Sequence, residues 1–313
     1  MGLIFAKDEN EKTPDKRWIE SFKKFLPEMR CLEWPINQIS PDVKYAVVWK
    51  PSKKLWEFLP NLEYVFVLGA GVDSIVWGSN KISKNINVVR IVDGGMSKPM
   101  ADYVLCACIF FQRALDKYRD NQLRGIWQQI PYNPPRNWRI GVMGVGVIGS
   151  KIAEALTRHG FDVSGWARTK KSDRGYEVMV GKKALRKFLS EINILVNVLP
   201  LTDETHNILN KSTFSQMRRA SFLINIGRGE TIVESDLLSA IDSGQIKGAF
   251  LDVFEEEPLR TDHPFFSNPS IFITPHVAAP TFFQEAFDQI LKNIRLIEAG
   301  KQPAGLISRS LGY

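Results

Sequence analysis

Short β-type runs alternate with longer helical patterns along nearly the whole chain, and this alternation narrows the possible folds more than any other feature. The runs are 45–49, 64–68, 88–92, 139–143, 162–166, 194–198, 221–226 and 248–253, and between them lie amphipathic stretches such as 15–25, 150–159, 234–243 and 284–299. Repeated strand-then-helix units build parallel sheets, because a parallel strand can be reached only through a crossover that packs back on the sheet. At 313 residues the chain exceeds what one core usually holds, so two domains with a ligand cleft between them are expected. The segment Asp93-Gly94-Gly95-Met96-Ser97-Lys98-Pro99 precedes a helical pattern that runs to about Arg119, which reads as a helix crossing between domains. A Pro-rich stretch at 131–135 then feeds the strand at 139–143. If the last helix returns to the first domain, that domain is 1–97 plus 289–313, and the second is 98–288.

Composition removes several function classes. No run approaches the roughly 18 apolar residues that a membrane span needs. The start of the chain lacks a basic segment, a long apolar core and a small-residue cleavage site, so a cytoplasmic, soluble protein is expected. The three cysteines, Cys31, Cys106 and Cys108, include no CxxC pair, which argues against a disulfide framework and against zinc; no metal site is expected. The net charge of +7 is spread along the chain without a docking motif for nucleic acid, and a diffuse positive field suits anionic metabolites.

The run 139–143 leads directly into Gly144-Val145-Gly146-Val147-Ile148-Gly149 and then a helix. In that order the first glycine permits a tight turn, the second lets backbone approach a pyrophosphate, and the third lets helix and strand pack closely. The helix start, with Val147 and Ile148, offers N–H groups and a positive dipole end to phosphate. A dinucleotide site of Rossmann type follows. NAD-selective sites carry an acid about 20 residues on, at the end of the next strand. Here that strand ends Arg168-Thr169-Lys170-Lys171, a basic cluster suited to a 2′-phosphate, so NADPH is expected ahead of NADH. A solvated basic loop is the plainer alternative.

Three later segments place reactive side chains just beyond apolar runs: Asn225-Ile226-Gly227-Arg228-Gly229, then Asp252-Val253-Phe254-Glu255-Glu256-Glu257-Pro258, then Thr274-Pro275-His276-Val277-Ala278-Ala279. Residues past the carboxyl ends of strands face the ligand crevice of an open α/β sheet. Taken singly, each has an ordinary reading: a surface ion pair, a solvated glutamate, a core histidine. Taken in order behind a dinucleotide turn, they form a candidate catalytic set. In the first domain, Leu68-Gly69-Ala70-Gly71-Val72-Asp73-Ser74 joins a strand to a helix with glycines that let backbone N–H groups converge on an anion.

These motifs together resemble the D-isomer-specific 2-hydroxyacid dehydrogenase family over nearly the whole chain. Within it, VVWKP, LGAGVDSI, GWARTKKS, LDVFEEEPL and the terminal Gly312-Tyr313 are similar to the glyoxylate and hydroxypyruvate reductase A group. The resemblance implies two doubly wound parallel-sheet domains, a Rossmann-type cofactor domain inserted into a flavodoxin-like substrate domain, and commonly a homodimer. It implies Arg228 as the cation for the carboxylate and carbonyl of a 2-oxo acid, His276 as the proton donor in reduction, and Glu257 as the holder of the imidazole. Ala70 and Gly71 become backbone contacts for the substrate carboxylate, and Trp49 and Met96 an apolar wall. Leu199 and Pro200 would lie under the adenine, Ile226 beside the nicotinamide, and Asp252 against the carboxamide or ribose. The implied reaction reduces glyoxylate to glycolate or hydroxypyruvate to D-glycerate. Alternatives are a family member acting on pyruvate or a bulkier 2-oxo acid, and a dinucleotide-sensing binding protein like the corepressors built on this scaffold. Where the family often has an acid after the second cofactor strand this chain has none, and the helix that usually opens with Glu carries Asp102.

Overall fold

The computed structural model describes residues 1–7, 16–77, 81–169 and 175–308. Its elements run β1 (Gly2–Ala6), α1 (Lys16–Phe25), β2 (Arg30–Glu33), β3 (Val43–Val48), β4 (Tyr64–Val67), α2 (Asp73–Val76) and β5 (Asn87–Arg90). They continue α3 (Ser97–Gln112), α4 (Leu115–Leu123), β6 (Arg139–Met143), α5 (Val147–His159), β7 (Asp162–Ala167), β8 (Glu177–Val180), α6 (Lys182–Glu191) and β9 (Ile194–Asn197). The remainder is α7 (Lys211–Gln216), β10 (Ser221–Asn225), α8 (Glu234–Asp242), β11 (Ile246–Leu251), α9 (Pro264–Ser267), β12 (Ile271–Ile273) and α10 (Phe283–Glu298). None of the described helices is long and apolar enough to cross a membrane.

Two compact units result, one of Met1–Gly95 with Thr281–Tyr313 and one of Met96–Pro280. The division at Pro280/Thr281 stands where the sequence pattern placed a boundary at 288, and side-chain packing gives the reason. Phe283 and Phe287 at the start of α10 lie against Trp18 of α1, with ring centroids 4.8 and 6.4 Å apart. The Gln289 side chain accepts from Val92 N at 2.7 Å and donates to Val92 O at 3.1 Å. The whole of α10 is therefore bound into the first unit.

The first unit holds a parallel sheet of order β2-β1-β3-β4-β5, the flavodoxin-like arrangement. The second holds a parallel sheet of order β12-β11-β10-β9-β6-β7-β8, which is the Rossmann order, reversing between β6 and β9, extended by one strand. Both are doubly wound α/β sheets, as the alternating pattern required. In the second unit successive strand residues go to opposite faces. Ile140, Val142, Val196, Ile224 and Phe250 join the core under α3 and α5, while Met143, Leu195, Leu223 and Leu251 join the core on the other face with Phe188 and Leu237. Burial on both faces explains why these strands read as continuous apolar runs.

Four strands escaped the sequence pattern. β2 is short and polar at the sheet edge, β8 is a second edge strand, β12 has three residues, and β1 is a wholly buried run at the start of the chain. The helix expected to reach Arg119 is broken at Ala114, which adopts a left-handed φ of 54°. α3 buries a face on α5 and β10, whereas α4 has no buried residue, so nothing holds the two on one axis.

Candidate active site

The glycine-rich turn sits at the carboxyl end of β6, the point where the strand order reverses. Gly144 has φ +105°, and a Cβ there would lie 2.9 Å from the Val198 carbonyl oxygen. A Cβ on Gly149 would lie 1.9 Å from the Gly144 oxygen, so α5 crosses its own turn at a distance only glycine allows. At Gly146 a Cβ would meet nothing within 4 Å, and Val147 is 46% exposed. The turn is thus packed tightly from behind and open at Gly146 and Val147, beside the start of a helix of 13 residues. These features fit a bound pyrophosphate. Leu199 is buried and Pro200 half-buried beyond β9, Ile226 is buried beyond β10, and Arg168 and Thr169 are exposed beyond β7. Lys170 and Lys171, with Gly312-Tyr313, lie outside the described residues.

The catalytic candidates come from three adjacent strands. Asn225, Leu251 and Ile273 are in register on β10, β11 and β12, and Arg228, Glu257 and His276 follow them in the loops. His276 Nδ1 lies 2.8 Å from Glu257 Oε2, so the imidazole donates to the carboxylate through Nδ1 and keeps Nε2 for a second partner. Both side chains are partly exposed, at 34% and 22%. The other Glu257 oxygen accepts from Phe254 N at 3.3 Å, which fixes the carboxylate to its own loop. The Arg228 loop is pressed against that loop: a Cβ on Gly229 would lie 1.8 Å from the Phe254 carbonyl carbon. Arg228 Nη1 donates to the Gly227 oxygen at 2.7 Å. Within the second unit the loop that follows Arg228 thus touches the loop that carries Glu257, and Glu257 in turn holds His276.

Sequence reasoning missed what holds these loops. Asn197 and Asn225 are fully buried at the ends of β9 and β10. Asn197 Nδ2 donates to Asn225 Oδ1 at 2.9 Å and to Thr231 Oγ1 at 2.8 Å, and its Oδ1 accepts from Leu199 N at 3.3 Å. Asn225 takes Gly227 N at 3.1 Å and donates to the Arg228 oxygen at 3.1 Å. Two amides therefore tie the Leu199-Pro200 turn to the arginine loop. The only signal in the sequence was a polar residue closing an apolar strand.

Asp252, expected to meet the nicotinamide half of a cofactor, is 1% exposed and spends its carboxylate inside the unit. It accepts from Thr274 Oγ1 at 2.6 Å, Val277 N at 2.8 Å and Ala278 N at 2.9 Å. Thr274 has given its one hydroxyl proton to Asp252, so it accepts from the Tyr103 hydroxyl of α3, whose pKa burial pushes up. His276 has a left-handed φ of 55°, sparsely populated for a residue with a Cβ. Asp252 is the clamp that imposes this turn, through its carboxylate and through its carbonyl, which takes His276 N at 2.8 Å. Replacing Asp252 by alanine leaves one buried N–H, one partly buried N–H and a hydroxyl short of an acceptor, so stability should drop by about 2–3 kcal/mol in a denaturant titration. Unchanged stability would show that the clamp is dispensable.

In the first unit, the turn of Leu68 to Ser74 follows β4, with Ala70 and Gly71 partly exposed. Trp49 lies against it, since a Cβ on Gly69 would come within 2.7 Å of its Cζ3. Thr281 Oγ1 donates to the Leu68 oxygen at 3.1 Å and secures the turn from α10's side of the same unit. Met96, at the start of the second unit, is only 5% exposed.

Comparison with known proteins agrees with this construction. The profile of "D-isomer specific 2-hydroxyacid dehydrogenase, NAD binding domain" matches residues 105–278, more than half of the chain. The chain belongs to the D-isomer-specific 2-hydroxyacid dehydrogenase family. Like its family it is an NAD(P)-dependent oxidoreductase. A glyoxylate/hydroxypyruvate reductase A of Yersinia enterocolitica serotype O:8 is 38% identical over 302 residues, covering 95% of this chain and 96% of that protein. Among solved structures, the family member of Xanthobacter autotrophicus Py2, in complex with NADPH and MES, has a TM-score of 0.90 at 33% identity, covering 100% of this chain and 99% of that one. The NADPH-dependent glyoxylate/hydroxypyruvate reductase of Sinorhizobium meliloti, in complex with NADP and sulfate, also reaches 0.90, at 30% identity with the same coverage.

Proposed function

We propose that this dehydrogenase reduces small 2-oxo acids, glyoxylate to glycolate and hydroxypyruvate to D-glycerate, with NADPH preferred to NADH. The observation that carries the reading is the 2.8 Å pair of His276 Nδ1 and Glu257 Oε2, joined through the Gly229 contact to the Arg228 loop beside a dinucleotide-type turn. Arg228 binds the substrate carboxylate and stabilises negative charge on the carbonyl oxygen as it develops. His276 delivers a proton from Nε2 to that oxygen, and Glu257 holds the ring so that Nε2 faces it. A bound reduced nicotinamide supplies the hydride to the carbonyl carbon. In the oxidative direction His276 takes the proton back.

The cofactor contacts in this reading are Gly144, Gly146, Val147, Ile148, Gly149, Leu199, Pro200 and Ile226, with Arg168 and Thr169 toward a 2′-phosphate. NADPH or NADP in two similar structures supports that preference. Trp49, Ala70 and Gly71 are the first unit's substrate contacts, as the family resemblance implies. A homodimer belongs to the same proposal, supported by the exposed Leu123 and Trp127 at 82% and 101%. The test is a panel of initial rates with glyoxylate, hydroxypyruvate, pyruvate and 2-oxobutanoate, each with both reduced cofactors, on protein whose mass is measured by sedimentation. The expected result is the highest kcat/KM for the first two acids with NADPH, in a dimer. Equal efficiency with NADH removes the cofactor preference, higher efficiency with pyruvate or 2-oxobutanoate removes the substrate assignment, and a monomer removes the dimer.

A further inference from the structure

Around the glycine-rich turn, one carboxylate meets cations from two other segments. Glu204 lies beyond β9, with Oε2 3.5 Å from Arg168 Nη1 and Oε1 3.8 Å from Lys182 Nζ. Arg168 follows β7 directly, and Lys182 opens α6 after β8. Because β9, β6, β7 and β8 are parallel and adjacent, all three residues stand at the carboxyl-end side of the sheet, flanking the turn at the end of β6. The backbone that carries Lys182 is fixed. Its helix start is tied to the end of β7 by Gly181 N to the Ala167 oxygen at 2.9 Å, and by Trp166 Nε1 to the Gly181 oxygen at 3.0 Å.

The contacts are too long for good charge-assisted hydrogen bonds, which run about 2.7–2.9 Å. The side chains are exposed, at 37% for Arg168, 85% for Lys182 and 53% for Glu204, so the bridges add little to stability. What they do is gather two positive charges around Glu204 where the adenosine ribose of a dinucleotide would lie. A phosphate monoester brings about −1.5 to −2 charges and three acceptor oxygens, more than a carboxylate can match. A ribose hydroxyl brings no charge and has no means of displacing Glu204.

We propose that Lys182 is a further contact for the cofactor's 2′-phosphate and that Glu204 competes with that phosphate for Arg168 and Lys182, so that the pair sets how strongly the site prefers the phosphorylated cofactor. This rests on the NADPH reading above. The test is calorimetric titration of the full-length protein with adenosine 2′,5′-bisphosphate and with adenosine 5′-monophosphate, which needs no turnover. Wild type binds the bisphosphate more tightly. Lys182→Gln weakens bisphosphate binding by about fivefold to tenfold and leaves the monophosphate unchanged, whereas Glu204→Gln tightens the bisphosphate by a similar factor. Arg168→Gln serves as the reference that loses the preference. If Arg168→Gln loses it while both other variants match wild type, the NADPH reading stands and the roles of Lys182 and Glu204 are refuted. If wild type binds the two nucleotides equally, the NADPH reading fails and this proposal fails with it.

Discussion

Replacing Arg228 by alanine should lower kcat by about 10²–10³-fold and raise KM by about 10–100-fold, the largest loss in kcat/KM expected of any single substitution here. Both parameters move because the guanidinium acts twice: it binds the substrate carboxylate in the ground state and meets charge that appears on the carbonyl oxygen only in the transition state. The loop around it should survive the change. Asn225 and Thr231 bind the Arg228 carbonyl oxygen, at 3.1 and 2.5 Å, and neither bond involves its side chain. An unaltered unfolding midpoint together with the kinetic loss would separate chemistry from folding. Arg228→Lys should recover charge without the planar fork and restore only part of the loss. Steady-state parameters within a few-fold of wild type in Arg228→Ala would remove this residue from the mechanism.

The second large effect is expected at His276. Its alanine variant should lose about 10²–10⁴-fold in kcat with little change in KM, since the imidazole donates a proton in the transition state and holds the substrate little before it. Glu257→Gln, by contrast, keeps a hydrogen-bonding group at 2.8 Å from Nδ1 but removes the charge that fixes the ring, so a loss of about 10²-fold in kcat is expected. A His276→Ala enzyme with kcat within a few-fold of wild type would assign the proton to another group.

The legible parts of this protein are those written in local sequence. The turn of Gly144 to Gly149 was readable because it needs glycine at fixed positions, and the structure shows the close approaches that enforce this at Gly144 and Gly149. Arg228 and Glu257 were readable as candidates because each follows a buried parallel strand, whose apolar run marks where the loop begins, whereas His276 stood out by its own motif after a strand of which only Ile271 is buried. What sequence could not show depends on partners distant along the chain. Asn197 and Asn225 form one network only because β9 and β10 are neighbours in register. Asp252 looked like a ligand-facing acid, yet its acceptors are used by a turn 22 to 26 residues later. The break at Ala114 carries neither glycine nor proline, and follows from α3 being packed while α4 is not. β12 is recognisable only by the strand beside it, since three residues are too few to set a period.

The most direct measurement is a crystal structure of the protein with NADP and oxamate, an unreactive analogue of a 2-oxo acid. His276 Nε2 and the Arg228 guanidinium should both lie within about 2.7–3.2 Å of the oxamate oxygen that stands for the substrate carbonyl, with the Glu257 pair intact. Oxamate bound away from these side chains, or either of them turned from it, would contradict the proposed chemistry.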